Sequence, residues 1–208
     1  MSSPYPLDIP PLAAEAYRLA QQLRFGDDGG PNSSTPGVGA LLATLAAAHP
    51  EGRLAELGSG VGAGAAWLAS GMSPHATLVT CELEAERSET ARRLLAADPR
   101  VTVLHGRWED LLPERGPFDL IFIDCLDAPS IPVAWERVLS MVRVGGQVIF
   151  DDVTPVAEWP QKWRGHPDPK REAVLRDPRV VGVEVYPPGV DGNVGGWASG
   201  ALIATRVH

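Results

Sequence analysis

Glycine recurs at alternate positions in one short segment, GSGVGAG, which spans residues 58–64. The segment follows RLAEL at 53–57, which predicts a buried strand, and precedes AAWLAS, which predicts a helix. Because glycine lacks a side chain, the backbone can turn tightly here and approach a bound molecule closely. Ligands of doubly wound sheets bind at the carboxyl ends of strands, where such loops lie. We therefore expect a cofactor-binding loop formed by Gly58, Ser59, Gly60 and Gly62.

Two glutamates frame this loop and bear on the choice of cofactor. Glu56 lies two residues before the first glycine, and Glu82 ends a second predicted strand, ATLVTCE at 76–82. S-Adenosylmethionine carries an ammonium, a sulfonium and a ribose diol, so carboxylates suit it. A carboxylate in the position of Glu82 can accept both ribose hydroxyls of either cofactor class, whereas Glu56 favours the cationic one.

A dinucleotide is the alternative occupant, because its pyrophosphate binds at the N-terminus of the helix after such a loop. Counted from Gly58, the pattern G-x-G-x-x-G fails at its last position, since residue 63 is alanine. Counted from Gly60, it survives only as G-x-G-x-x-A with Ala65. The loop therefore favours S-adenosylmethionine, and a nicotinamide-dependent oxidoreductase stays open as a second hypothesis.

Strands and helices alternate from residue 53 onward, which predicts right-handed βαβ units and a parallel sheet. The expected strands are 53–57, 76–82, 101–105, 118–124 and 147–152, with helices at 85–97 and 130–142. Two further strands, 179–187 and 198–207, have no room for a crossover helix between them, so we expect an antiparallel hairpin at one sheet edge. The chain is interpreted as one domain, 1–208, made of N-terminal helices (1–50), a cofactor-binding core (53–152), and an acceptor loop with the terminal hairpin (153–208).

Composition excludes several classes of protein. The 208 residues carry a formal net charge of −8, which argues against a nucleic-acid surface. No uncharged apolar stretch approaches the ~20 residues that span a bilayer, and MSSPYPLDIPP lacks the basic and apolar regions of a signal peptide. Cys81 and Cys125 cannot build a disulfide framework and are expected to be free thiols. We expect a cytoplasmic protein whose partner is a small molecule; the oligomeric state is open, with a homodimer as one assembly to test.

Five short motifs occur in order along the chain: ELGSGVG at 56–62, CEL at 81–83, GRWED at 106–110, FID at 122–124 and FDDV at 150–153. They resemble those of class I S-adenosylmethionine-dependent methyltransferases, and most of all the small O-methyltransferases that include catechol and caffeoyl-CoA O-methyltransferases and their bacterial relatives. The resemblance covers roughly residues 10–207. It implies an α/β, doubly wound, Rossmann-like fold with a seven-stranded sheet in the order 3-2-1-4-5-7-6 and the last strand antiparallel.

The resemblance also implies an activity, methyl transfer from S-adenosylmethionine to a hydroxyl of a small aromatic acceptor. Glu56 and the backbone of 58–62 would hold the methionine end of the cofactor, and Glu82 its ribose. The adenine would be flanked by Arg107, Trp108 and Glu109. One departure is Gly64, where many relatives carry a serine that touches the cofactor carboxylate.

A second acidic group is expected where two strands end, at Asp124, Asp151 and Asp152. In the implied order these strands are adjacent, so their ends lie roughly 5 Å apart. Three such carboxylates raise each other's pKa unless a cation joins them, and oxygen ligands suit Mg²⁺ or another divalent cation. In the resembling enzymes these positions bind a divalent ion. The alternatives are that the aspartates cap the strand ends, or that Asp124 serves only the ammonium of the cofactor.

The general base is the main departure from the resembling enzymes. They often carry a lysine three residues after the acid of the fourth strand, and Asp127 stands there in this chain. The chain has two lysines, Lys162 and Lys170, and neither is near that position in the sequence. Three alternatives stay open: Asp127 is the base, the metal alone acidifies the acceptor, or the acceptor differs in kind. The missing lysine also motivates another hypothesis, a protein that binds the cofactor without turnover.

Overall fold

The computed structural model describes residues 7–23, 33–126, 130–187 and 200–208. The strands within these ranges are β1 Arg53–Leu57, β2 Thr77–Glu82, β3 Val101–His105, β4 Phe118–Ile123, β5 Val142–Val153, β6 Val180–Val185 and β7 Gly200–Arg206. They form one sheet in the order β3-β2-β1-β4-β5-β7-β6. The pairs among β1–β5 are parallel, whereas β7 runs antiparallel to both β5 and β6. The expected fold, strand order and antiparallel hairpin are therefore confirmed.

Helices cover both faces of the sheet. In the same ranges they are α1 Pro11–Leu23, α2 Pro36–Ala47, α3 Ala63–Gly71, α4 Ala85–Leu95, α5 Trp108–Leu111, α6 Ile131–Met141 and α7 Pro169–Leu175. Buried side chains of α1–α4 form one apolar core with the sheet, and those of α5–α7 form a second core on the opposite face. None of the helices in the described part of the chain combines the length and the apolar character needed to cross a membrane.

The central strand β4 is buried along its whole length. Leu120 and Phe122 belong to the core with α1–α4, whereas Ile121 and Ile123 belong to the opposite core. Alternate side chains of a strand point to opposite faces, so a strand covered on both faces needs a continuous apolar run. Asp119 interrupts that run, and its carboxylate accepts a hydrogen bond from the backbone N–H of Arg53 at 2.7 Å.

Strand β5 begins at Val142, five residues before the start expected from the sequence at 147. The segment VRVGG contains a glycine pair that suggests a turn, and Gly145 does have φ of +83°. Val142 nevertheless pairs with Phe118 of β4, and the register shifts between Phe118 and Leu120. The extra residues are accommodated by this local irregularity, which a pattern of residue types does not reveal.

Helices α2 and α3 touch through their backbones at Gly71. A Cβ on Gly71 would lie 1.9 Å from the carbonyl oxygen of Ala43. A contact of that length is far inside van der Waals distance, and the obstacle is backbone, which cannot move aside as a flexible side chain can. Gly71 is therefore required by helix packing.

We expect Gly71→Ala to lower the melting temperature, although alanine is the better helix former. Overpacking of this kind costs roughly 1–3 kcal/mol, which corresponds to roughly 3–10 °C for a chain of this size. Thermal denaturation followed by circular dichroism measures it. The matched control is Ser70→Ala, one residue earlier on the exposed side of α3. A melting temperature of Gly71→Ala at or above that of the wild type would contradict the packing argument.

Candidate functional site

The glycine loop leaves β1 in backbone conformations that side chains rarely adopt. Gly58, Gly60 and Gly62 have φ values of +87°, +50° and +99°. A Cβ on Gly58 would lie 2.5 Å from the Cβ of Cys125. The N–H of Gly58 also donates a hydrogen bond to the carbonyl of Cys81 at 2.9 Å. The loop is thus held between the ends of β2 and β4, and its glycines give the close backbone approach that the sequence predicts.

Glu82 ends β2 with its carboxylate fixed by backbone donors. One carboxylate oxygen accepts a hydrogen bond from the N–H of Gly60 at 2.8 Å, and the other accepts one from the N–H of Glu84 at 2.9 Å. A carboxylate has about four lone-pair positions, so two remain available to a ligand. This geometry suits a carboxylate that accepts the two hydroxyls of a ribose.

A cavity of about 570 Å³ opens beside Glu82. Its volume lies within the range of small-molecule sites, roughly 300–1,000 Å³. The three residues expected around the adenine all line it. Arg107 donates a hydrogen bond to Glu109 at 3.0 Å, while Trp108 is largely buried and also belongs to the core under α5 and α6. The residues that line the cavity include Gly58, Glu82, Gly106, Arg107, Trp108, Glu109, Ser130 and Ala134.

Glu56 is placed differently from Glu82. Its carboxylate is buried beneath the glycine loop, where it accepts hydrogen bonds from the hydroxyl of Thr80 and from the N–H of Ala65. It lines neither of the two cavities described at this edge. Burial, and to a smaller extent the negative charge of Glu82, raise the pKa of Glu56 to about 8. Glu56 supports the loop from below, and its contact with the methionine end stays a prediction.

The departure at Gly64 has a steric reason. A Cβ at this position would lie 2.2 Å from Oε1 of Glu56 and 2.8 Å from the ring of Phe122. The serine that many relatives carry here therefore does not fit while Glu56 occupies its present position. Residue 64 is glycine because the buried carboxylate takes the space of a side chain.

Asp124 and Asp151 lie together where β4 and β5 end, as the sequence predicts. They line a smaller cavity of about 180 Å³ with Asp152 and Lys170. Burial raises the pKa of Asp124 well above its ordinary value, and the charge of Asp151 adds to the effect. Burial, and then the charge of Asp152, raise the pKa of Asp151 to about 6. The carboxyl groups at this edge therefore favour a positive charge nearby.

A positive charge is present at this edge of the sheet, although no lysine stands near position 127 in the sequence. Nζ of Lys170 donates a hydrogen bond to the main-chain carbonyl of Asp151 at 2.6 Å, and a longer one to that of Asp152 at 3.4 Å. The ammonium of Lys170 lowers the pKa of both Asp124 and Asp151. Asp168-Pro169 signals the start of α7 in the sequence, but no local pattern signals that the side chain of Lys170 reaches the backbone of β5.

The sequence predicts a divalent-cation site at Asp124, Asp151 and Asp152, but the arrangement of these side chains does not fit one. No group of three or more His, Cys, Asp or Glu side chains within the described ranges is arranged to hold a metal ion. Asp152 is exposed and has φ of +57°, while Asp124 and Asp151 share their cavity with an ammonium. Asp127 lies outside the described residues, and its role as a base stays a prediction.

Glu56→Gln is expected to raise the melting temperature of the ligand-free protein at neutral pH. The folded-state pKa of Glu56, about 8, lies above its ordinary value of 4.5. The unfolded chain therefore loses this proton first, and folding stability falls as pH rises from 4.5 towards 8. Glutamine can keep both hydrogen bonds without carrying a charge.

The measurement is the difference in melting temperature between Glu56→Gln and the wild type, at pH 7.5 and at pH 4.5. We expect the melting temperature of Glu56→Gln to exceed that of the wild type by several degrees at pH 7.5 and to differ little from it at pH 4.5. The matched control is Glu84→Gln, which removes an exposed carboxylate nearby. A difference independent of pH would show that Glu56 is ionised in the folded protein.

Comparison with known proteins finds similarity to methyltransferases over part of the chain. Residues 55–153 match a family model described as "Methyltransferase domain". The "Putative O-methyltransferase" of Mycobacterium avium (strain 104) is 34% identical over 144 residues, which are 65% of this chain and 64% of that protein. A protein of the same description from Mycobacterium sp. (strain KMS) is 33% identical over 130 residues, 59% of this chain and 58% of that one. The chain thus matches about three fifths of the length of these relatives.

Solved structures extend the similarity to nearly the whole chain. The O-methyltransferase TomG from Streptomyces achromogenes, in complex with SAM, has a TM-score of 0.76 and 25% identity, covering 97% of this chain and 92% of that one. An O-methyltransferase from Bacillus cereus in complex with SAH has a TM-score of 0.75, and at 23% identity it shows the fold alone, over 98% of this chain and 93% of that one. The expected resemblance to class I S-adenosylmethionine-dependent methyltransferases is thereby confirmed, in sequence over residues 55–153 and in fold over nearly the whole chain.

Proposed function

We propose that this protein is an S-adenosylmethionine-dependent O-methyltransferase that methylates a hydroxyl group of a small aromatic acceptor. The observation that carries the proposal is the arrangement at the larger cavity, where the fixed carboxylate of Glu82 lies with the half-buried backbone of Gly58. The similarity to O-methyltransferases, among them one with bound SAM, favours this cofactor over a dinucleotide. We infer an aromatic acceptor from the resemblance to catechol and caffeoyl-CoA O-methyltransferases. A cytoplasmic location is part of the same proposal.

In this proposal the cofactor lies across the ends of β1, β2 and β4. Glu82 accepts the ribose hydroxyls, and the side chains at 107–109 flank the adenine. The loop backbone from Gly58 to Gly62 and the carboxylate of Asp124 hold the methionine end. Burial disfavours the charged form of Asp124, so a cationic ligand beside it restores the ionised carboxylate and gains affinity from the contact.

The transfer itself is a displacement in line at the methyl carbon. A lone pair of the acceptor oxygen forms the new O–C bond, the C–S bond breaks, and its electron pair stays on sulfur, which becomes the neutral thioether of S-adenosylhomocysteine. The hydroxyl proton leaves to water or to a carboxylate such as Asp127. Much of the rate comes from alignment of the acceptor oxygen, the methyl carbon and the sulfur, because the protein positions these atoms and forms no bond to them.

We also propose that the protein forms a homodimer, which light scattering tests.

Cofactor affinity tests the role of Glu82. We expect Glu82→Gln to weaken binding of S-adenosylhomocysteine roughly 10- to 100-fold, because hydrogen bonds to a charged acceptor contribute about 1.5–3 kcal/mol. Isothermal titration calorimetry measures both affinities. Glu84→Gln is the charge-matched control and should bind as the wild type does. If the wild type does not bind S-adenosylhomocysteine at millimolar concentration, the proposed cofactor is wrong.

Turnover separates an enzyme from a protein that only binds the cofactor. Incubation of the wild type with S-adenosylmethionine and a panel of phenols and catechols should release S-adenosylhomocysteine, together with an equal amount of methylated product detected by mass spectrometry. The Glu82→Gln variant should require a higher cofactor concentration for the same rate. Tight cofactor binding with no product from any acceptor would instead support the hypothesis of binding without turnover.

A further inference from the structure

The smaller cavity contains a fixed ammonium among carboxylates. Lys170 lines it together with Asp124, Asp151 and Asp152. Its Nζ is anchored by the main-chain carbonyl of Asp151 at 2.6 Å, with a longer contact of 3.4 Å to that of Asp152. An ammonium has three donors, so these two contacts leave a third for a ligand oxygen. The cavity adjoins the larger one, since Cys125 and Leu126 line both.

Lysine is usually a flexible surface cation, but the backbone that carries Lys170 is held firmly. Asp168 caps α7, and its Oδ1 accepts hydrogen bonds from the N–H of Lys170 at 2.8 Å and of Arg171 at 3.1 Å. The guanidinium of Arg171 is bound to both oxygens of Glu184 at 2.7 and 2.9 Å and to the other carboxylate oxygen of Asp168 at 2.6 Å. The same guanidinium lies 5.4 Å from the ring centre of Trp159. Strand β6, helix α7 and the segment after β5 are thereby joined at the residue next to Lys170.

We propose that the ammonium of Lys170 is the resident cation of this site and binds the acceptor oxygen during methyl transfer, in the place where the family resemblance implies a divalent ion. The proposal rests on the proposed function. The acceptor proton passes to water or to a carboxylate such as Asp127 before the transfer, so Lys170 takes no proton from the acceptor. The acceptor oxygen then gives its lone pair to the methyl carbon as the C–S bond breaks towards sulfur. Lys170 stabilises the negative charge on that oxygen before it is consumed.

The arrangement of the carboxylates agrees with this role. The described acids do not converge as a group of metal ligands, and the ammonium already supplies the positive charge that Asp124 and Asp151 favour. A divalent cation entering the same cavity would be repelled by Lys170 at short range. The affinity of the cavity for such an ion should therefore depend on whether Lys170 is present.

The first experiment titrates Mn²⁺ alone into the ligand-free protein and follows free Mn²⁺ by electron paramagnetic resonance. Lys162→Ala is the matched control, because the ammonium of Lys162 lies 5.9 Å from the ring centre of Trp163 and does not line the cavity. We expect Lys170→Ala to bind Mn²⁺ at least about tenfold more tightly than the wild type and Lys162→Ala. Mn²⁺ binding of equal affinity in all three proteins would overturn the assignment of Lys170 to a cation position.

The second experiment measures turnover against a series of phenols of different acidity. The wild type should keep its activity in EDTA, and Lys170→Ala should lose kcat by about a hundredfold with an unchanged Kd for S-adenosylhomocysteine. Lys170→Arg, which keeps the charge, should recover part of kcat. The rate of Lys170→Ala should also depend more steeply on the pKa of the phenol, since the oxyanion no longer has a cation beside it.

The outcomes separate this inference from the proposed function. An activity that is lost in EDTA and restored by Mg²⁺, or an equal loss of rate for every phenol in Lys170→Ala, would overturn the role of Lys170 while methyl transfer stands. A wild-type protein that does not bind S-adenosylhomocysteine would overturn the proposed function itself. Circular dichroism of each variant establishes that the compared proteins are folded.

Discussion

Parallel strands bring their carboxyl ends to one edge of a sheet, and here four adjacent strands each bring an acidic side chain towards that edge. Glu82 comes from β2, Glu56 from β1, Asp124 from the end of β4 and Asp151 from β5. Burial removes the hydration of a carboxylate, and neighbouring carboxylates repel one another, so both effects oppose ionisation. The contacts that compensate for this crowding account for much of the local structure.

Each acid is compensated in a different way. Glu82 receives two backbone N–H groups, and this fixes both its own orientation and the path of the glycine loop. Glu56 receives a hydroxyl and a backbone N–H but stays fully enclosed, which keeps its pKa high and leaves room only for glycine at position 64. For Asp124 the compensating charge comes from Lys170. For Asp151 the N–H of Asp152 and the ammonium of Lys170 partly offset the effect of burial on its pKa.

Helix α7 and strands β6 and β7 are built into the same sheet and core as the preceding elements. Strand β7 inserts between β5 and β6, and α7 packs into the core on the same face as α6. Asp168 and Arg171 then set the first turn of α7 against the end of β5. The ammonium of Lys170 thus reaches the carboxylates through contacts made by three separate segments of the chain.

Much of this protein could be read from the order of its residues. Alternating apolar segments predict the parallel sheet, the spacing of Gly58, Gly60 and Gly62 predicts the loop, and the family motifs imply the strand order, because these depend on local residue types or on matching positions along the chain. Three features depended on the tertiary structure: the enclosure of Glu56 beneath the loop, the early start of β5, and the position of Lys170 beside Asp124. Each is a contact between segments far apart in sequence. Residue types along the chain indicate what each segment can form, but only packing decides which charges come to lie next to one another.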